Sequence, residues 1–501
     1  MDPVPPSERI WTAWNFISYW VSDATQVAMW QSASSMLAIG LTWRQALVAI
    51  AVGYFLIAIV MVLNGTIGAR LHISFPVLTR SSFGFWFSYF SVISRVVLAM
   101  FWFGIQTYTG SECIYQMLKA IWPSTARMSN HLSALSPVTT RDMMCYFLSW
   151  LFQLPFLLIS PRKIRHFFTA KSVIVPCSWL AILIWAMVRV PSSKSLAPNQ
   201  GPLTQSMSNG SALAWAWLSA LNSSLGNVCT LSINIPDFTR YAKNERAQFV
   251  QILIIPVTFT LVGFVGIAVT SAAEFIYGEV LWDPLRLIDH WDNRALSFFA
   301  ALSFFISIIG TNIGANSLSA ANDLMALSPK YVNIRRGQII CAVIGGWAIC
   351  PWEILATAPG FLNFMSGYTV FLGPFAGIMV ADYWLVHKGN VDVPAMYYPH
   401  GRYRYWNGIN WRAVVTLLCS VLPTMPGLIG NINPRINVGR ALHLFDIAWL
   451  YGFFSALIIF WSLSTFWPAK ETFVDRLILV DQRTSSSDLN GDEEKREVVT
   501  A

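Results

Sequence analysis

The chain has 501 residues, of which 55% are hydrophobic, 14% aromatic and 12% charged. Soluble proteins carry roughly 25% charged residues and the mean hydropathy here is +0.51, so a soluble enzyme, a nucleic-acid binder and a disordered scaffold are excluded. The formal net charge of +8 sits mostly in short polar segments between apolar runs, where orientation in a bilayer explains it.

In chain order, the opening MDPVPPSERIW is short, polar and Pro-rich, unlike a cleavable signal peptide. About 20 apolar residues cross a bilayer. By that measure the chain is an all-α polytopic membrane protein with twelve spans, near 13–39, 45–64, 85–121, 142–160, 166–189, 212–234, 248–273, 295–324, 337–356, 359–384, 412–432 and 446–467. The third run is too long for one perpendicular helix at ~1.5 Å per residue, so either FWFSYFSV lies along the interface or the helix tilts. The tail beyond Pro468 turns polar and ends in RTSSSDLNGDEEKREVVTA, a composition that reads as disordered.

Twelve spans put both termini on one side. Loops on that side carry 16 Lys and Arg, counting Lys171 and Lys243, against 9 on the other. The bias places both termini in the cytoplasm. The Asn209-Gly-Ser211 acceptor pattern then falls outside. Seven cysteines, Cys113, Cys145, Cys177, Cys229, Cys341, Cys350 and Cys419, lie in apolar stretches without a C-x-x-C pair. They read as small buried apolar residues, and no metal site is implied.

Polar groups inside spans are expensive and are functional hypotheses by default. In span 1, Asp23 stands between Ser22 and Thr25, followed by Trp30 and Gln31; it reads as a gate or salt-bridge partner, or as a proton carrier. In span 3, Trp102 and Gln106 are four apart and share a helix face. An indole stacks on a flat heterocycle while an amide bonds its edge. The alternative is a polar helix–helix clamp. Arg95 is expected to snorkel near the cytoplasmic end, and Glu112 to be structural or near an outer gate. In span 6, Gly226 and Asn227 sit mid-span, and Asn234 and Pro236 interrupt the cytoplasmic end. In span 8, Asn312 and Asn316 lie in GTNIGANSLSAAND, an interior segment by its small residues, serving either a site or packing.

Interruptions in spans 1 and 6, five spans apart, are the offset of two inverted repeats with substrate held between broken helices. The corresponding division is a tail over 1–12, a transport core over 13–384 with repeats near 13–189 and 212–384, spans 11 and 12 with their preceding loop over 385–467, and a tail over 468–501. A channel predicts charge rings or a carbonyl filter. A membrane enzyme predicts a His/Asp/Glu constellation. Neither pattern is present in the sequence, and a transporter is the favoured class.

The segments SYWVSDATQVAMWQSASSMLAIGLTW, NGTIGARLHISFPVLTRSSFG, FWFGIQTYTGSE, NIPDFTRYAK, TNIGANSLSAANDL and GPFAGIMVADYW resemble the nucleobase–cation symporter-1 family, in its fungal Fur-type branch. The resemblance runs from Trp11 to about Trp467. It implies a LeuT-like five-plus-five inverted repeat with two extra C-terminal helices, working by alternating access in the plasma membrane. It implies uptake of a nucleobase-like heterocycle, with uracil or allantoin first and uric acid next. A nucleoside or vitamin carrier (uridine, thiamine, nicotinamide riboside) is the alternative in the same fold, and a non-transporting nutrient sensor is the rival from another class. Trp102 and Gln106 match the family's stacking and hydrogen-bonding pair, Asn316 its span-8 Asn, Phe364 and Tyr368 its span-10 aromatic gate, and Lys243 a cytoplasmic gating residue that pairs with an acid near span 1.

Two positions depart from the family's bacterial hydantoin carrier. Asn227 and Val228 stand where that carrier has a Gly-Trp pair, which removes one stacking indole and adds an amide. Gly310-Thr311, with Ser307 a turn earlier, stand where it has adjacent Ser and Thr sodium ligands. The loss of one hydroxyl favours H⁺ over Na⁺ as coupling ion, with no metal or organic cofactor. Expected partners are the heterocycle, membrane lipid, and trafficking or ubiquitination machinery at the tails.

Overall fold

The computed structural model describes residues 2–133, 136–159, 161–190, 210–433 and 435–480. The acceptor pattern beginning at Asn209 and the tail beyond 480 lie outside these. Among the described residues the fold is helical throughout, with isolated bridges only, such as Trp11 to Ala242 and Asp392 to Ile478.

Eight helical stretches are long and apolar enough to cross a membrane: Trp43–Leu71, Ser88–Ile121, Phe167–Arg189, Glu245–Tyr277, Arg294–Leu327, Ala358–Val386, Trp411–Ile432 and Ala448–Phe466. The other four expected spans map onto Ala13–Ala24 with Val27–Ala38, Thr140–Leu158, Gly210–Asn234 and Ile334–Trp347. These are broken, short or rich in polar side chains. A helix packed inside a bundle does not need the lipid-facing apolar surface that defines a span by composition.

Span 1 breaks between Ala24 and Val27, with Gln26 extended at φ −126° and ψ 147°. No Pro or Gly causes this. The Thr25 hydroxyl donates back to the carbonyls of Val21 (3.2 Å) and Ser22 (3.0 Å), a local bond that competes with helix continuation. The freed carbonyl of Thr25 accepts from Ser307 Oγ of span 8 at 2.8 Å, so the break is satisfied rather than strained. Span 6 runs unbroken through Gly226 and Asn227 and stops at Asn234, before Pro236.

Span 3 is one helix from Ser88 to Ile121. The expected interfacial run divides: Phe85–Phe87 form a turn, with the N–H groups of Trp86 and Phe87 donating to Gly408 O at 2.9 and 3.2 Å, and the rest belongs to the helix. Span 8 contains a π-helical turn over Asn312–Ser317, an insertion often found at functional sites. Span 10 is kinked between Gly367 and Thr369. It approaches span 6 so closely that a Cβ on Gly226 would lie 2.3 Å from Met365 O; no other residue fits there.

Candidate functional site

A cavity of about 60 Å³ opens where spans 1, 3, 6 and 8 meet. Its walls carry Asp23, Trp102, Gln106, Asn227, Thr311 and Asn316. At ~10–15 Å³ for each water, this is room for a few waters, or for part of a flat ring in place of them.

Trp102 and Gln106 project from the same face of span 3, 8% and 2% exposed. The Gln106 Nε2 is buried with no hydrogen-bond partner. Across the cavity Asn227 donates from Nδ2 to Tyr54 Oη at 2.6 Å, while its Oδ1 is buried and unpaired. The π-turn aligns two amides in series. Asn312 Nδ2 donates to Gln153 Oε1 of span 4 at 2.6 Å, and Asn316 Nδ2 donates to Asn312 Oδ1 at 2.9 Å. Asn312 is therefore the clamp, and Asn316 keeps its carbonyl for the cavity. The result is an indole face, one free donor and amide carbonyl acceptors. That set complements a planar ring bearing both N–H and C=O groups. Buried polar atoms left unpaired cost about 1–3 kcal/mol each, so the cavity favours such a guest over an apolar one.

Phe364 and Tyr368 stand behind Trp102, with ring centroids 5.7 and 6.5 Å from the indole. Tyr368 Oη donates to Gly226 O at 2.8 Å, tying the kink of span 10 to span 6. Both residues flank the site without lining it. Val228 is 1% exposed, packed in the core, and outside the cavity wall. Its neighbour Asn227 points inward, so on a continuous helix Val228, about 100° further round, faces away. Lys243 is exposed, and its backbone N–H donates to Trp11 O at 2.9 Å. Among the described residues no acid pairs with its side chain.

Arg95 corrects the snorkelling expectation. It is 1% exposed and forms a hydrogen-bonded ion pair with Asp323, a second ion pair with Asp237 at 3.6 Å, and a bond to the Asn234 side-chain oxygen. Its guanidinium lies 5.1 Å from the Phe75 ring centroid. Arg95 also lines the cavity, so it joins spans 3, 6 and 8 at the wall toward the terminal face. The acids were visible in NIPDF and SAANDL, but their convergence on one Arg is a tertiary fact.

Lys171 is the second correction. Counted as a loop cation, it lies inside the span Phe167–Arg189 and is 3% exposed. Its Nζ donates to Thr311 Oγ1 at 3.1 Å, and it is the charge that attracts Asp23. Ser307 is committed to the Thr25 carbonyl. Both hydroxyls of the expected cation-site remnant are therefore already partnered, one of them by a fixed ammonium. A Na⁺ ion does not fit that set: it would face a like charge.

The sequence matches the family described as permease for cytosine/purines, uracil, thiamine, allantoin over residues 3–452. The chain is 36% identical to the uracil permease of Saccharomyces cerevisiae, covering 95% of this chain and 77% of that one. It is 34% identical to the allantoin permease of the same yeast, with the same two shares. Among solved structures it is similar to the inward-facing conformation of Mhp1, with a TM-score of 0.73, 20% identity and 94% of each chain covered. That likeness establishes the shared fold.

Proposed function

The chain belongs to the family of permeases for cytosine/purines, uracil, thiamine and allantoin, and from that premise we propose that it imports a small planar heterocycle across the plasma membrane by proton-coupled alternating access. Uracil and allantoin are the first choices and uric acid the next. The observation that carries the reading is the cavity itself: the Trp102 face, the unpaired Gln106 Nε2 and the unpaired Asn227 Oδ1 turn toward one space. A ring with alternating N–H and C=O groups supplies the partners these atoms lack.

In this reading Trp102 stacks on the ring, Gln106 and Asn316 bond its edge, and Asn227 supplies the acceptor that replaces a second aromatic wall. Phe364 and Tyr368 back the indole and move with the kinked span 10. Coupling to H⁺ is supported by Lys171, which holds Thr311 where a metal cation would otherwise have to bind, and by Asp23, whose Oδ2 is buried and unpaired beside the cavity. The core over 13–384 rocks against itself, and both termini face the cytoplasm.

The test is uptake of labelled uracil and labelled allantoin by permease-null yeast expressing the chain at the cell surface, at acid and neutral pH. Unlabelled uric acid, uridine and thiamine serve as competitors. Acid-stimulated uptake of one heterocycle is expected. No uptake of either label, with neither nucleoside nor vitamin transported in direct assay, overturns the proposal.

A further inference from the structure

On the face opposite the termini lies a second cavity, of about 460 Å³, away from the Trp102 site. Small-molecule pockets run to ~300–1,000 Å³, so this one has room for a whole ring and its water. One wall is the outer half of span 3, with Tyr108, Glu112 and Gln116; the other is the segment 279–290, which carries Trp282 and the short helix Pro284–Asp289. The two walls are held at a fixed spacing. Gln116 Nε2 donates to Asp289 Oδ1 at 2.9 Å and to Leu285 O at 3.3 Å, and Lys119 pairs with Asp289 at 2.7 Å. Just past the segment, Arg294 donates to the carbonyls of Ala120 and Ile121, each at 2.7 Å.

Most charges on these walls cancel in pairs. Asp142 takes Arg141 at 3.0 Å, and the same guanidinium covers the Tyr115 ring at 4.1 Å. Glu279 faces His290 at 3.2 Å, and Asp289 has Lys119. One acid and one base are left over. Glu112 and Arg286 both line the cavity, yet among the described residues neither is in an ion pair, with the other or with any further group. The Glu112 Oε2 has no hydrogen-bond partner, and Arg286 is exposed.

A carboxylate only accepts and a guanidinium only donates. Together they complement a neutral ring whose edge carries an N–H beside a C=O: the N–H donates to the carboxylate, and the C=O accepts from the guanidinium, both as charge-assisted bonds. Trp282 supplies a flat wall. Its ring lies 6.3 Å from Phe361 and nearly parallel to it, and Phe361 meets the Trp102 indole edge-on at 6.4 Å. A single phenyl ring, on the half of span 10 before the kink, therefore stands between the aromatic wall of the outer cavity and that of the central one.

We propose that this vestibule is a second, outer binding site for a planar imide or ureide, bonded by Glu112 and Arg286 against Trp282 before it passes Phe361 to reach Trp102. The site takes its purpose from the transport reading, as the place where substrate is gathered until span 10 moves. Because Arg286 stands in water, where electrostatic attraction is weak, the outer site binds less tightly than the dry central one.

The experiment is equilibrium binding of labelled uracil and labelled allantoin to the purified full chain, as wild type, as Trp102→Ala, and as Trp102→Ala combined with Arg286→Ala. Two components are expected for one label in the wild type, the weaker of them kept in Trp102→Ala. Arg286→Ala should weaken that remaining component by about tenfold or more, the loss that goes with a hydrogen bond to a charged group. Glu112→Gln, which keeps the shape and loses the charge, should weaken it too. If Trp102→Ala does not fold, Arg286→Ala alone should remove only the weaker component from the wild type. A single component in the wild type, with nothing left in Trp102→Ala, overturns the outer site. Residual binding that neither Arg286→Ala nor Glu112→Gln changes overturns it as well. Uptake by cells expressing the wild type separates the two readings. Uptake without an outer component overturns the site and leaves the transport reading; an Arg286-dependent component in a chain that transports neither label removes the transport reading and leaves the site standing.

Discussion

Lys171 Nζ donates to Thr311 Oγ1 at 3.1 Å, and the lysine stem occupies the space a side chain at position 310 would need: a Cβ on Gly310 would lie 2.7 Å from Lys171 Cδ. The glycine and the lysine are therefore one feature. The sequence departure noted at Gly310 is what admits a protein-borne cation beside Asp23.

Gly310→Ala should therefore displace Lys171. Overpacking of this kind costs about 1–3 kcal/mol, and uptake should drop at least as far as in Lys171→Gln. Lys171→Gln leaves Asp23 without its attracting charge; Asp23→Asn added to it should recover surface expression. Expression of the two single variants and the double variant checks this. Losses that simply add would show that the two side chains are not coupled.

Trp102→Ala is expected to abolish uptake at normal surface level, because it removes the stacking face. Gln106→Ala deletes the free donor, and a guest carbonyl left unpaired costs about 1–3 kcal/mol. At about 1.4 kcal/mol per tenfold, the apparent affinity should fall by roughly 5- to 140-fold. Competition curves with unlabelled substrate measure it. Wild-type affinity in both variants would move the site elsewhere.

Arg95→Ala should be the most damaging change near the cavity. Asp323 is fully buried, and breaking a buried ion pair from one side costs about 3–5 kcal/mol. The chain is expected to be poorly folded, with a lowered Tm in detergent. Asp323→Asn in that background should restore part of the Tm. Because Arg95 also holds Asp237 and Asn234, Arg95→Lys should fold yet transport slowly, its single ammonium unable to span three partners.

These expectations separate what local sequence shows from what it hides. That Trp102 and Gln106 share one face was legible from helical spacing, whereas spacing left Asn312 and Asn316 equal, and only the resemblance singled out Asn316. The break in span 1 was legible only as an excess of polar residues; its position at Thr25 and Gln26 is set by a hydroxyl back-bond and a partner on span 8, neither of which has a Pro or Gly signature. Lys171 was hidden by its neighbours, since it follows the basic stretch PRKIRHF and so counts naturally as a loop cation. Val228 shows the reverse error. Register from a relative placed it in the site, whereas an unbroken helix lets only Asn227 of that pair face the cavity. Arg95 was read by depth, and depth does not reveal that two acids from distant spans meet it.

At the C-terminal end of span 10, just beyond Val386, a buried imidazole meets a carboxylate. His387 Nδ1 lies 3.1 Å from Asp382 Oδ1, and its Nε2 is 3.0 Å from Thr472 Oγ1. Asp382 Oδ2 also accepts from Ser81 and Ser82 at 3.1 and 3.0 Å. The junction thus joins span 10, the helix Phe75–Phe83 and the segment after span 12. Burial works to lower the His387 pKa, but the Asp382 charge and hydrogen bonds outweigh it, and the net shift is upward. A histidine raised on folding gives its full stabilisation below its unfolded pKa of about 6.5 and loses it as pH climbs through the raised folded value. The Tm of the purified chain should therefore fall from mildly acid to alkaline buffer by more than in His387→Asn, whose side chain keeps hydrogen bonds but carries no charge. Equal pH slopes in the two proteins would show that the imidazole is not protonated in the fold and that the junction is held by its neutral hydrogen bonds alone.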